Sequence, residues 1–162
     1  MKEIPLTQGK VAYVDDEFYE SLRRRGGWHA ERQGRTWHAA RTETTPDSRK
    51  KTVYMHSVVW ELAKREATRE IDHRNHNGCD NQLRNLRPAN RPQQLQNCRK
   101  RQRATSRFKG VSWHKGTGKW QAFIGRRYLG LQTDEEAAAR LYDQAARELY
   151  GEFACLNFQE SL

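Results

Sequence analysis

Short apolar alternations broken by charged runs fill this chain, and the pattern predicts many small elements rather than a few long ones. Residues 10–14 alternate as a half-buried strand. Asp15, Asp16 and Glu17 then stack acids at the start of a helix that reaches Arg25, where Gly26-Gly27 stops it. Residues 28–31 and 36–41 flank Gln33-Gly34 and predict a hairpin. Its tryptophans are expected as core anchors, and His29 and His38 as exposed strand residues. Residues 42–51, polar and carrying Pro46, Asp47 and Ser48, are expected as a flexible loop. Residues 52–56 return to strand and lead into a helix over 57–65, with Val58, Val59 and Leu62 on its apolar face.

The last third has a second pattern. Residues 109–114, 119–124 and 126–130 predict strands joined by tight turns, the first turn over 115–118. Thr133-Asp134-Glu135-Glu136 reads as a capping box. Ala137, Leu141, Tyr142, Ala145 and Leu149 mark the expected buried stripe of a helix ending before Gly151. A three-stranded antiparallel sheet packed on one helix follows, with one sheet face left free. Lys109, Trp113 or His114, Lys119, Arg126 and Arg127 would put cations and rings on that face.

Composition narrows the partner. In 162 residues, 35% hydrophobic against 31% charged favours small modules over one large core. The net charge is +10, and it is unevenly spread. Between Asp80 and Asp134 there is no acid, while the stretch carries 13 Lys and Arg, so nucleic acid is the expected partner. Residues 98–107 hold Arg99, Lys100, Arg101, Arg103 and Arg107 without apolar periodicity, which predicts a basic linker that tracks a phosphate backbone. Three cysteines, Cys79, Cys98 and Cys155, are too widely spaced for a zinc knuckle or a disulfide framework. With no membrane-length apolar run and no signal peptide, the expected setting is cytoplasmic, with no membrane partner and no small-molecule substrate.

Candidate chemistry centres on residues 70–87 and the amide-rich run 94–97. Asp72 and a side-chain amide offer oxygen ligands to a hard divalent ion, and His73 offers a base that titrates near neutrality. Asp72-His73, Asp80-Asn81 and Asn85-Leu86-Arg87 resemble the HNH, or ββα-metal, nucleases of phages and mobile introns. That resemblance implies Asp72 as metal ligand, His73 as general base and Asn85 as a brace for the loop. The second ligand is Gln94 by register or Asn97 one turn on, and the ion is Mg2+ or Mn2+. His56 stands either as an aid to that site or as a packed structural histidine.

The C-terminal pattern is similar to the apetala-two/ethylene-response-factor DNA-binding domain. Lys109-Gly110-Val111, Lys119-Trp120, Tyr128-Leu129-Gly130, Glu136-Ala137-Ala138, residues 142–146 and Leu156-Asn157-Phe158 stand where that family has like residues. Ser112, Phe123 and Gly125 replace residues that often read bases there. Together the resemblances imply an α+β chain with a lead-in over 1–51, an HNH module over 52–97, the linker over 98–107 and a DNA-binding domain over 108–160. The expected function is a metal-dependent endodeoxyribonuclease of homing type, monomeric, acting on double-stranded DNA in a phage or bacterial host. The alternatives are a DNA-binding regulatory protein with a decayed nuclease site, and an RNA-binding accessory protein.

Overall fold

Ile4, Ala12 and Val14 are buried because they lie on one face of an antiparallel pair, β1 (Lys2–Pro5) against β2 (Val11–Val14). Next comes α1 (Asp16–Arg25), with acids in its first turn and three arginines in its last, both favourable to the helix dipole. Phe18 and Leu22, four apart, are its buried residues, and Gly26, at φ 57°, ends it. The Trp28 indole then donates to Leu22 O at 2.8 Å, fastening the chain to the helix it has just left.

The computed structural model describes residues 1–68, 70–100 and 105–158, in two units, Met1–Arg91 and Pro92–Leu162. In the first unit β3 (His29–Gln33), β4 (Thr36–Thr44) and β5 (Lys50–Tyr54) form a three-stranded antiparallel sheet in that order. Half of the expected loop over 42–51 is strand. Thr42 pairs with Thr52, Glu43 with Lys51 and Thr44 with Lys50, leaving a tight turn around Ser48. These strand ends are polar on both faces, so no hydrophobic alternation announces them.

The helix α2 (Met55–Leu62) starts two residues early and takes in His56, which was expected in a strand. Met55, Val58 and Val59 are its buried residues. Two three-residue strands, β6 (Ile71–His73) and β7 (Leu86–Pro88), pair around a turn-rich loop. One apolar core joins Val14, Leu22, Met55, Val58, Val59, Cys79 and Leu86. Each large side chain fully buried there contributes roughly 1.5–3 kcal/mol over leaving it exposed.

The short helix α3 (Arg91–Gln96) crosses the boundary between the units. A ββα-metal module is therefore not shown: β6 and β7 belong to the first unit, and most of α3 belongs to the second.

In the second unit β8 (Val111–His114), β9 (Lys119–Ile124) and β10 (Arg127–Gln132) form an antiparallel sheet in the order β10-β9-β8, and α4 (Glu135–Tyr150) follows. The α4 cap is Asp134 rather than Thr133; its carboxylate accepts from Ala137 N at 2.7 Å. Ala138, Ala139, Tyr142, Ala145 and Ala146 are the apolar residues α4 buries, whereas Leu149 is 50% exposed. The buried face is thus rotated from the expected stripe, because alanines let the helix approach the sheet closely. Gly110 shows how close: a Cβ there would lie 2.0 Å from the Tyr142 ring. Buried Asp143 accepts from Asn157 N at 2.8 Å and Phe158 N at 2.9 Å, and Asn157 Oδ1 accepts from Lys109 N, tying the C-terminal segment to the start of the sheet.

Candidate nucleic-acid interface and a buried polar cluster

The loop between β6 and β7 is held by side-chain amides. Asn85 Oδ1 accepts from Asn75 N at 3.0 Å, and its Nδ2 donates to Asn75 Oδ1 at 3.0 Å and to Asp80 O at 2.8 Å. Asn75 and Gln82 both donate to Asp80, at 2.7 and 2.8 Å. Asn81 is fully buried; its N–H donates to Tyr13 O, and Tyr13 N donates to Cys79 O, each at 2.8 Å. The loop is thereby stitched to β2.

Of the expected metal and base set, the first unit holds Asp72, His73 and Asn85, while Gln94 and Asn97 lie in the second. Asp72 faces Arg87 across the ladder, and Arg87 Nε and Nη2 donate to its Oδ2 at 2.9 and 2.8 Å. Arg87 is 3% exposed, so a buried guanidinium already supplies the countercharge. His73 is buried, with Nε2 3.4 Å from Asn81 Oδ1. Burial, then neighbouring His38, pushes its pKa down to about 4, which leaves a neutral and weakly basic imidazole at pH 7.

Two further histidines surround it: His56, expected either as an aid to that site or as a packed structural histidine, and His38, which was not expected at this place. His38 on β4 was expected on the surface and is half-buried; His56 lies in the first turn of α2. The ring centroids are 5.5 Å apart for His38 and His73, 5.1 Å for His56 and His73, and 6.1 Å for His38 and His56. Tyr54 stacks on His56 at 5.4 Å. Burial, then His73 and His38, lowers His56 to about 3, and burial also lowers His38. For His38 a sequence trace is Gly78, where a Cβ would lie 2.4 Å from His38 Nδ1.

In the second unit the sheet sorts its residues by strand alternation. Val111, Ala122 and Ile124 are buried on the α4 side. On the opposite face Gln121 donates to Ser112 Oγ at 3.1 Å, His114 pairs with Lys119, and the Phe123 and Tyr128 rings meet at 5.3 Å. Trp113 pairs with Trp120 instead, their rings 5.0 Å apart, on the Val111 face. Of the two residues expected on the free face, His114 is there and Trp113 is not.

Lys119, Arg126 and Arg127 are exposed at strand ends and a turn. Lys109 is not on that surface: its ammonium donates to Gln96 O at 2.8 Å and Cys98 O at 2.7 Å, and burial lowers its pKa. Arg107 donates to Glu136 at 2.7 Å and lies 3.5 Å from Glu135. Arg99 is exposed and Lys100 half-exposed. Arg101 and Arg103 lie outside the described residues.

The chain is 42% identical over 65 residues to the ethylene-responsive transcription factor WRI1 of Arabidopsis thaliana. It is 43% identical over 63 residues to APETALA2-like protein 2 of Oryza sativa subsp. japonica, and to the same extent to the AP2-like ethylene-responsive transcription factor PLT2 of Arabidopsis thaliana. These matches cover 36%, 35% and 35% of this chain but only 15%, 14% and 11% of the relatives. No family model matches, and no solved structure matches.

The similarity supports the apetala-two-like part of the sequence reading. It overturns the expected enzyme: these relatives are named as transcription factors, and an HNH endodeoxyribonuclease gains no support from them. The DNA-binding regulatory alternative fits better. The expected phage or bacterial setting has no support either. Among the described residues no helix is long and apolar enough to cross a membrane.

Proposed function

We propose that the chain is a DNA-binding regulatory protein that holds duplex DNA on the β8–β10 face opposite α4. The observation that carries this reading is the 42% identity to a named transcription factor. The acid-free stretch agrees with it: Arg87 and Arg107 pair with carboxylates from outside the stretch, but Lys119, Arg126 and Arg127 stand exposed within it. Lys119, Arg126 and Arg127 supply charge at the sheet's ends, where side chains reach phosphates. His114, Gln121 and Ser112 present hydrogen-bonding groups between them, at the spacing of a ribbon that enters the major groove. Arg107 and Lys109 serve the fold through their internal partners.

Fluorescence anisotropy of the full chain on a mixed-sequence duplex, titrated with salt, tests the reading. Replacing Lys119, Arg126 and Arg127 together by alanine should weaken binding and flatten the log–log salt slope by up to about 2.7, at roughly 0.9 per phosphate contact. An unchanged slope would remove the sheet from the interface. Selection from a random duplex library should enrich one sequence; no enrichment would leave non-specific binding only. Tighter binding to an RNA hairpin than to duplex DNA would favour the RNA-binding rival.

A further inference from the structure

We propose that His38, His56 and His73 form a site for one divalent transition-metal ion of the zinc type, which ties β4, α2 and β6 together. Each ring offers one nitrogen, and the three nitrogens lie within 4.8 Å of one another. Among the described residues no other group of three His, Cys, Asp or Glu side chains meets this spacing. Zinc–nitrogen bonds of about 2.0–2.1 Å place tetrahedral ligands about 3.3 Å apart, so modest ring rotations close the site.

Two further observations point to a ligand. The Nδ1 atoms of His38 and His56 are buried and make no hydrogen bond, a costly state for a polar atom unless something fills it. Glu31 lies directly across the ladder from His38, and its Oε2 is likewise buried without a hydrogen bond. A carboxylate beside a coordinating imidazole is the usual support that orients the ring and raises its donor strength. The donor set also selects the metal: imidazole nitrogen suits zinc, copper, nickel or cobalt rather than magnesium.

The site is independent of the DNA-binding reading, because all three residues and Glu31 belong to the first unit. The test strips the full chain with chelator, dialyses it against micromolar zinc or cobalt chloride, and measures bound metal by mass spectrometry. The expected result is one ion per chain and a rise in melting temperature, with both reduced in His38→Gln and His56→Gln and unchanged in His29→Gln. Glu31→Gln should weaken binding by roughly 10–100-fold.

Cobalt guards against variants that do not fold. Visible d–d absorption of a tetrahedral centre without a thiolate charge-transfer band supports nitrogen ligation. A thiolate band would place the ion on Cys79, Cys98 or Cys155 and overturn the proposal. So would the absence of stoichiometric metal, or retention of full metal by the His38→Gln/His56→Gln double variant.

Discussion

Arg87 in the first unit is 3% exposed and spends its guanidinium on Asp72, whereas Lys119, Arg126 and Arg127 in the second unit are exposed at strand ends. The same contrast holds for histidine. His38, His56 and His73 crowd one another inside the first unit, while His114 of the second sits by a turn, 3.0 Å from Thr117 Oγ1. A cation left in water keeps its hydration until a polyanion replaces it, so it can serve binding at little cost to the fold. A polar group taken out of water must be satisfied where it stands, so it serves local geometry first. Charge alone therefore does not locate function: Arg87 and Arg126 are both arginines, but of the two only Arg126 is exposed.

Acid should break the comparison most strongly. Free histidine protonates near 6.5, but the folded first unit holds His73 near 4 and His56 near 3, through burial first and neighbouring imidazoles next. Between those values the unfolded chain binds more protons than the folded one. Stability from this source is full above about pH 6.5 and is lost as the pH falls towards 4. The expected loss is several kcal/mol, confined to the first unit, in metal-free buffer. Hydrogen exchange followed separately over residues 11–62 and 111–150 reads it, and His56→Gln should flatten the slope. Equal acid sensitivity in both units would mean that the cluster is not its source.

Removing one partner of the buried ion pair comes next. Asp72→Ala removes the carboxylate that the buried Arg87 guanidinium donates to and should cost the first unit about 3–5 kcal/mol in urea unfolding, as breaking a buried pair does. The Lys119/Arg126/Arg127 replacement should leave unfolding within about 0.5 kcal/mol, as surface changes usually do. If Asp72→Ala unfolds like the parent chain, the pair is not a structural element.

How legible each region was follows from the range of its interactions. The sheet of the second unit was readable because its signals are local: the turn at 115–118, and strands rich in Val, Trp, Phe and Ile. The α1 boundaries were readable from Asp16 and Glu17 at one end and Gly26 at the other. The histidine cluster was not, because residues 38, 56 and 73 meet through three elements far apart in the chain, and no spacing rule links them. Asp72-His73 and Asn85 share a hairpin and its loop, and Arg87, which closes the same motif, donates to Asp72 Oδ2 across the ladder, a pairing that the resemblance does not announce.

The smallest effect tests the helix register. Leucine weighs more than alanine in any hydrophobic pattern, so the sequence placed Leu149 on the buried stripe of α4, yet it is 50% exposed while Ala139 and Ala146 are 0% exposed. The helix selects small residues for its inner face because the sheet lies close, as the Gly110 contact with Tyr142 requires. Leu149→Ala should then change stability by no more than about 0.5 kcal/mol. Ala146→Leu should destabilise the second unit by roughly 1–3 kcal/mol through overpacking. Urea unfolding of the two variants decides it: a loss in Leu149→Ala greater than that in Ala146→Leu would put the leucine, not the alanines, against the sheet.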